Sequence, residues 1–516
     1  MDDDEPLQTS AASLGRRMTR GAAWMVGLHF ADRCVGFLST IVLARLLVPA
    51  DFGLVALAMA MMAAVAVFSE FGLELALIQN QNAERRHYDT AWTLGLLRGL
   101  LTAIIVALAA EPVAAFFENP LLSDVVLVLA LAPLLESLNN IGTVAFRKDL
   151  TLNKEFIFRI VPRLGGVAVT IALALAWQNY WALVIGTLVG KAMRVVLSYV
   201  MHSYRPRLSL STWREIMTFS KWIVVIGIAT FANRKLSTVL IAKFLDAAAI
   251  GTFSIASQIS NMAAAELIAP IKQVLFPGYA KIAHDTAALR RAFIDAYGIL
   301  VLVALPVAVG IGLTAEYYVP LLLGPRWEGA VPLIEILVIS GGLRSLSSHV
   351  RPVYFAMNRT RLGAYASVGR AIVFLPMLYF GLVHYGLLGA AIAHAIAQVA
   401  VLFGSLYYMH SLLGVSLADL ARASWRALTA CLLMVVAILV LKSHPPVHGD
   451  GAIVDLILLA STVATGVVVY TSADLLLWWC SRRPASSAEG YVISYGRDWL
   501  QRRRMPLASA SAGKGV

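Results

Sequence analysis

Residues 24–53 read WMVGLHFADRCVGFLSTIVLARLLVPADFG, and residues 222–251 read WIVVIGIATFANRKLSTVLIAKFLDAAAIG. At one offset of 198 residues (222 minus 24), matching positions recur along both stretches: Trp24 and Trp222, Ser39 and Ser237, Ala44 and Ala242, Arg45 and Lys243, and Gly53 and Gly251. A second match joins Tyr199 to Tyr407 at an offset of 208 (407 minus 199), so about ten residues are inserted in the second copy. The chain is therefore predicted to contain two homologous halves.

The composition indicates a membrane protein. The chain has 516 residues, of which 59% are hydrophobic and 14% are charged, whereas soluble domains carry about 25% charged residues. The three cysteines, Cys34, Cys431 and Cys480, lie in apolar segments and form no metal-binding or disulfide pattern. Because the first residues are acidic and polar, we expect no signal peptide and expect insertion through the first internal apolar helix.

Apolar segments long enough to cross ~30 Å of hydrocarbon as helices recur along the chain. We predict fourteen, at 22–47, 52–79, 90–110, 121–146, 156–177, 180–202, 217–243, 248–278, 292–314, 329–357, 362–382, 386–410, 424–441 and 452–480. The predicted fold is an all-α polytopic membrane protein with two pseudo-symmetric six-helix lobes and two C-terminal helices. Its predicted parts are an N-terminal segment (1–20), an N-lobe (21–203), a linker (204–220), a C-lobe (221–412), two further spans (424–480) and a basic tail (481–516).

Basic residues alternate from one side of these spans to the other. Nearly all loops on the side of the termini carry lysine or arginine, while the opposite side has few basic residues, among them Arg45, Lys243, Arg326 and Lys442. Because loops rich in lysine and arginine stay in the cytoplasm, both termini are predicted to be cytoplasmic. This asymmetry also accounts for much of the net charge of +12, so nucleic acid is not an expected partner.

Many ionisable residues fall inside the predicted spans, where each costs at least about 2.5–3.5 kcal/mol unless it faces a cavity or a partner. We predict that cations line a central cavity: Arg33, Arg163, Arg234 and Arg344, with Arg159, Lys191, Arg351 and Arg370. Arg159 and Arg163 share one helix face at i,i+4 spacing. Guanidinium groups stay charged and bind phosphate with two hydrogen bonds, so this pattern favours an anionic substrate.

Two alternatives to cavity roles remain open. Arg159, Lys191 and Arg351 lie near span ends, where their side chains can reach the lipid headgroups. The predicted intramembrane acids serve either as ion-coupling groups or as partners of neighbouring cations; they are Asp32, Glu70, Glu74 and Glu266.

No catalytic constellation stands out. The sequence has no Walker A motif, no zinc-binding histidine pattern and no nucleophile elbow. We therefore expect no enzyme activity, no metal and no cofactor, and energy for any transport from an ion gradient or from consumption of the product.

Several motifs point to one family: RGAAW at 20–24, LARLLVPADFG at 43–53, NYWALV at 179–184 and PGY at 277–279. With these the chain resembles the Wzx-type oligosaccharide flippases, in the polysaccharide transporter family of the multidrug/oligosaccharidyl-lipid/polysaccharide (MOP) exporter superfamily. The resemblance covers nearly the whole chain.

This resemblance implies a multi-pass protein of the bacterial inner membrane. Such a protein moves undecaprenyl-pyrophosphate-linked oligosaccharide repeat units across the membrane for exopolysaccharide or lipopolysaccharide biosynthesis, by alternating access around a cationic cavity. Membrane lipids, a polysaccharide polymerase and export machinery are the implied partners.

Alternative functions differ in the features they require. A cation-coupled small-molecule exporter of the same superfamily would need an acidic, aromatic cavity, and a peptidoglycan-precursor flippase is a further related class. A polytopic polysaccharide polymerase or ligase would need a large periplasmic loop, and the loops here are short. A scaffold role in an export complex is supported only by the basic tail.

Overall fold

The computed structural model describes residues 30–69, 83–149, 151–214, 236–357, 359–447, 451–482 and 487–490, with single positions at 24, 27, 28, 73 and 77. Helices dominate these residues. The α-helices of at least four residues are α1 (30–46), α2 (Pro49–Ser69), α3 (Arg85–Phe116), α4 (Leu121–Leu129), α5 (Leu131–Ser137), α6 (Ala145–Lys148), α7 (Leu152–Trp177), α8 (Trp181–Met201), α9 (236–244), α10 (Ala247–Ile282), α11 (Thr286–Leu313), α12 (Ala315–Tyr318), α13 (Val331–Ser347), α14 (Val350–Ala356), α15 (Thr360–Leu413), α16 (Leu417–Ser443) and α17 (Ala452–Cys480).

Nine of the helices in these ranges are long and apolar enough to cross a membrane, and a pair bent by 67° makes a tenth candidate. An apolar helix satisfies all its backbone hydrogen bonds internally, which is what a lipid environment requires. The chain is therefore an all-α, multi-pass membrane protein, as predicted. The count of fourteen spans stays a prediction, because parts of the first, second and seventh predicted spans lie outside the residues that the structure describes.

Span ends follow local sequence signals. Helix α7 ends at Trp177. The residue after it, Gln178, has a left-handed backbone (φ 50°), and α8 begins three residues later, at Trp181. The eleventh and twelfth predicted spans form α15, which contains a break at Gly386 (φ 57°). Residues with a side chain rarely adopt this backbone geometry, so the glycine allows the chain to change direction there. The break falls at the first residue of the twelfth predicted span, 386–410.

Contacts divide the chain into two compact units. The first comprises Met1–Ile255, Leu322–Ala330 and Leu378–Ala390; the second comprises Ala256–Leu321, Val331–Met377 and Ala391–Val516. In the first unit α7 packs along α8, and α3 packs against α4 and α5. In the second, α11 packs against α13 and α16, and α16 packs against α17.

Residues 202–212, here termed the linker strap, run across the start of α3 in the first unit. Asp89 organises the contact, because its carboxylate accepts hydrogen bonds from the Tyr204 hydroxyl (2.6 Å) and the Arg207 amide (2.8 Å). Asn140 donates to the carbonyl oxygens of His202 (3.2 Å) and Tyr204 (2.7 Å). Burial, followed by the hydrogen bond to Asp89, raises the pKa of Tyr204 well above its ordinary value, so the hydroxyl stays a donor.

Candidate functional site

One predicted cavity cation, Arg163, lies beside an acid. Its Nε atom is 3.4 Å from Oδ1 of Asp32 on α1, and the two side chains are 46% and 48% exposed. Gly36 lies one turn along α1 from Asp32, and a Cβ there would lie 2.9 Å from Nη2 of Arg163. The guanidinium therefore rests against the bare backbone of α1 and makes a long, partly solvated ion pair. Arg33 is on the same helix with an exposed side chain.

Arg159, one turn before Arg163, belongs to a buried network. The Glu155 carboxylate is only 1% exposed, and its Oε1 atom accepts hydrogen bonds from Arg147 (2.8 Å) and Arg159 (2.6 Å). A buried carboxylate needs such partners, since an isolated one would be strongly destabilising. Glu155 was not among the residues selected from the sequence, although its i,i+4 spacing to Arg159 is a recognisable signal of pairing.

Lys191 on α8 also has an acid partner. Its ammonium group hydrogen-bonds the Glu136 carboxylate of α5, within the first unit. Three of the cations predicted to line a cavity, Arg159, Arg163 and Lys191, thus each contact a carboxylate. A paired cation can still bind an anionic ligand, but only if the ligand displaces or supplements the acid.

In the second unit, none of the described contacts of the predicted cavity arginines is to a carboxylate. The Nη1 atom of Arg344 on α13 donates to Oδ1 of Asn261 on α10 at 2.7 Å. Arg370, on the first leg of α15, forms neither a hydrogen bond nor an ion pair with any residue that the structure describes, and its Nε atom is inaccessible to solvent. Arg351, at the start of α14, has an exposed side chain. An amide carries no charge, so the contact to Asn261 does not by itself neutralise Arg344.

Polar groups of α15 and α13 contact each other in the same unit. His394 is buried, and its ring lies 4.5 Å from that of Phe374. Gln398, only 1% exposed, donates to Ser347 at 3.4 Å, and Ser340 donates to the His394 carbonyl oxygen at 3.3 Å. Gln398 and Asn261 were not among the residues selected from the sequence. The i,i+4 spacing of His394 and Gln398 on one face of α15 was the available signal for Gln398.

Four of the selected residues have side chains outside the described part of the chain. Arg234, Glu70 and Glu74 are not among the described residues, and the side chain of Glu266 within α10 is not described either. Their roles stay predictions. So does the full set of substrate-binding cations, because no ligand contact tests it.

The chain is similar to known proteins of polysaccharide biosynthesis. A family model described as "Polysaccharide biosynthesis protein" matches residues 42–332. The lipopolysaccharide biosynthesis protein WzxC of Escherichia coli (strain K12) is 25% identical over 75% of this chain and 80% of its own. The succinoglycan biosynthesis transport protein ExoT of Rhizobium meliloti (strain 1021) is 24% identical over 89% of this chain and 93% of its own.

The fold is similar to solved transporter structures. The lipid II flippase MurJ, in an inward closed conformation, aligns with a TM-score of 0.72 at 15% identity, over 88% of this chain and 99% of that one. A multidrug resistance MATE family transporter aligns with a TM-score of 0.55 at 15% identity, over 75% and 96%. At these identities the likeness concerns the fold alone.

Proposed function

This chain belongs to the polysaccharide biosynthesis protein family, and from that membership we propose that it is a flippase for a lipid-linked oligosaccharide. The substrate is an oligosaccharide repeat unit on undecaprenyl pyrophosphate, moved from the cytoplasmic to the periplasmic leaflet of a bacterial inner membrane for exopolysaccharide or lipopolysaccharide biosynthesis. The protein acts as a transporter and catalyses no covalent step. Relatives whose names refer to transport or flipping of biosynthetic glycans support this substrate class.

Arginine within apolar helices is the observation that carries the proposal. Arg370 lies in a helix that is long and apolar enough to cross a membrane, and it has no acid partner among the described residues. Such a group is costly in a membrane unless it serves a ligand or a water-filled path. A pyrophosphate headgroup supplies the missing negative charge, and its oxygen atoms match the fork of a guanidinium.

The Asp32–Arg163 pair offers a second place for the headgroup, in the first unit. Its 3.4 Å separation and half-exposed side chains describe a weak pair. An incoming phosphate forms stronger, two-point hydrogen bonds to Arg163 than Asp32 does, so it displaces the carboxylate. Asp32 then keeps Arg163 oriented in the absence of substrate. The polyprenyl tail remains in lipid throughout, since it gains nothing from entering a polar path.

The function is tested by deleting the gene in its source bacterium. We expect loss of surface polysaccharide and accumulation of the lipid-linked repeat unit on the cytoplasmic side, measured by its protection from a membrane-impermeant oxidant. A double variant, Arg163→Gln with Arg370→Gln, is then used for complementation. It should restore the protein level but less than about a tenth of export, since each charge contact to phosphate is worth about 1.5–3 kcal/mol. Arg326→Gln, a change at an exposed cation in a short 3-10 helix, is the matched control.

Two results would contradict the proposal. Unchanged polysaccharide with altered drug susceptibility would indicate a small-molecule exporter instead. Accumulation of flipped but unpolymerised repeat units on the periplasmic side would indicate a polymerase or ligase.

A further inference from the structure

The sequence repeat is expressed in the structure as a reciprocal backbone contact. A Cβ on Gly53 would lie 1.7 Å from the Ala247 carbonyl oxygen, and a Cβ on Gly251 would lie 1.8 Å from the Pro49 carbonyl oxygen. The two glycines are 198 residues apart (251 minus 53), and so are the two residues whose carbonyl groups they approach (247 minus 49). Equivalent first turns of α2 and α10 therefore cross each other, so the pseudo-two-fold axis passes between Gly53 and Gly251.

A second reciprocal contact flanks this crossing. The Nε atom of Arg45 donates to the Leu322 carbonyl oxygen at 3.0 Å, and Nζ of Lys243 donates to the Phe116 carbonyl oxygen at 2.9 Å. Arg45 and Lys243 are equivalent positions of the repeat. Their acceptors are 206 residues apart (322 minus 116), between the offsets of 198 and 208 at the two matching regions. The acceptors therefore occupy corresponding places, a few residues after the third and ninth predicted spans (90–110 and 292–314).

These bonds join opposite copies of the repeat. Arg45 is in the first copy and reaches a carbonyl group of the second, whereas Lys243 is in the second copy and reaches one of the first. Each acceptor lies at the carboxyl end of a helical segment, where uncompensated carbonyl groups attract cations. Both cations lie on the membrane side that carries few basic residues, so the charge asymmetry of the loops does not explain them.

We propose that Gly53, Gly251, Arg45 and Lys243 form a pseudo-symmetric seal that closes one membrane end between the two repeats and opens to release substrate. All four residues, and the carbonyl groups named above, lie in the first unit. Because the contacts are related by two-fold symmetry, moving the copies apart breaks both cation bonds together. Only glycine allows the backbones to meet at the axis, and the two cations hold the crossing from either side. The release step rests on the proposed flippase function; the closure does not.

An accessibility experiment tests the closure without any substrate. Ala44, 1% exposed, is replaced by cysteine in a variant in which Cys34, Cys431 and Cys480 are serine. We expect a membrane-impermeant maleimide to label Ala44→Cys at least about fivefold faster when Arg45→Met and Lys243→Met are combined, because loss of both bonds shifts the population towards the open state. The two single variants should have similar, smaller effects.

Matched changes separate the seal from general loosening. Arg45→Lys and Lys243→Arg keep a donor and should restore slow labelling, whereas Arg326→Met, at another exposed cation of the same predicted side, should change nothing. Unchanged labelling in the double variant, or a strong effect of one single variant with none of the other, would overturn the symmetric seal.

A cross-link tests the release step. Phe52 and Trp327, whose ring centroids are 5.2 Å apart, are replaced by cysteine and joined with a short bifunctional thiol reagent. Transport of undecaprenyl pyrophosphate carrying a fluorescent disaccharide into proteoliposomes should fall at least about tenfold and return on reduction. Joining Gly165→Cys to Met193→Cys, which lie in contact on α7 and α8 of one copy, should leave transport intact.

The outcomes distinguish the two proposals. Full transport by the Phe52–Trp327 cross-linked protein would refute the seal and leave the flippase function standing. Faster labelling in the cation variants, with no transport of this probe or export of polymer by the wild-type protein, would refute the flippase function and leave the closure standing.

Discussion

At the scale of single residues, the surroundings of a side chain decide its role more than its type does. Arg159 and Arg370 both lie in apolar helices, yet Arg159 contacts the buried Glu155 carboxylate and Arg370 has no partner among the described residues. The first arginine is tied to the packing of its unit. The second keeps an unsatisfied charge and is the better candidate for a ligand.

The stability of the linker strap is expected to depend on pH because the strap contains His202. Burial, with the charges of Lys154 and Arg205, lowers the pKa of His202 below its ordinary value. Its Nδ1 atom accepts a hydrogen bond from the Tyr204 amide at 3.1 Å, which protonation would prevent. A lowered pKa means that the unfolded state binds the proton more readily, so strap stability falls as pH drops below about 6.5 towards the folded-state pKa.

Hydrogen-exchange protection of residues 202–212, corrected for the intrinsic rate at each pH, should therefore decrease between pH 7.5 and pH 5.5. His202→Asn, which keeps a hydrogen-bond acceptor without a titrating group, should remove that decrease. Protection that stays constant in the wild-type protein would contradict this role of His202.

At the scale of elements, a buried ion pair connects the segment after α17 to α16. Arg426 on α16 donates two hydrogen bonds to Glu489, at 2.8 and 2.9 Å, and the side chains are only 9% and 5% exposed. Glu489 lies in a short helical turn at 488–490, within the second unit. This contact ties the chain after α17 back onto the neighbouring helix.

Removing one member of the pair should therefore destabilise the second unit. Glu489→Gln removes the carboxylate that hydrogen-bonds the buried Arg426 and should cost about 3–5 kcal/mol, seen as a lower melting temperature of the purified protein. The double variant Arg426→Met, Glu489→Leu removes both charges and should recover most of that loss. If the double variant is as unstable as the single one, packing rather than charge holds the segment.

At the scale of the whole molecule, the distribution of basic residues predicts that both termini are cytoplasmic. Most loops on the side of the termini are basic, and such loops resist translocation. A fluorescent protein fused after Arg482 should therefore fluoresce, while alkaline phosphatase fused there should be inactive. Alkaline phosphatase inserted after Glu118, between α3 and α4, should be active. The opposite activities would reverse the predicted orientation and place the proposed seal on the cytoplasmic side.

The amino-acid sequence by itself determined the all-α membrane class, the duplication and the family, because hydropathy and repeat spacing are local and additive along the chain. It also marked Arg45 and Lys243 as equivalent. Only the tertiary structure decided that these two cations reach across the repeat, that Asp32 accompanies Arg163 and that Asn261 accompanies Arg344. The physical reason is that a partner is set by helix rotation and by contacts between segments far apart in sequence, while apolar periodicity sets only that a helix forms.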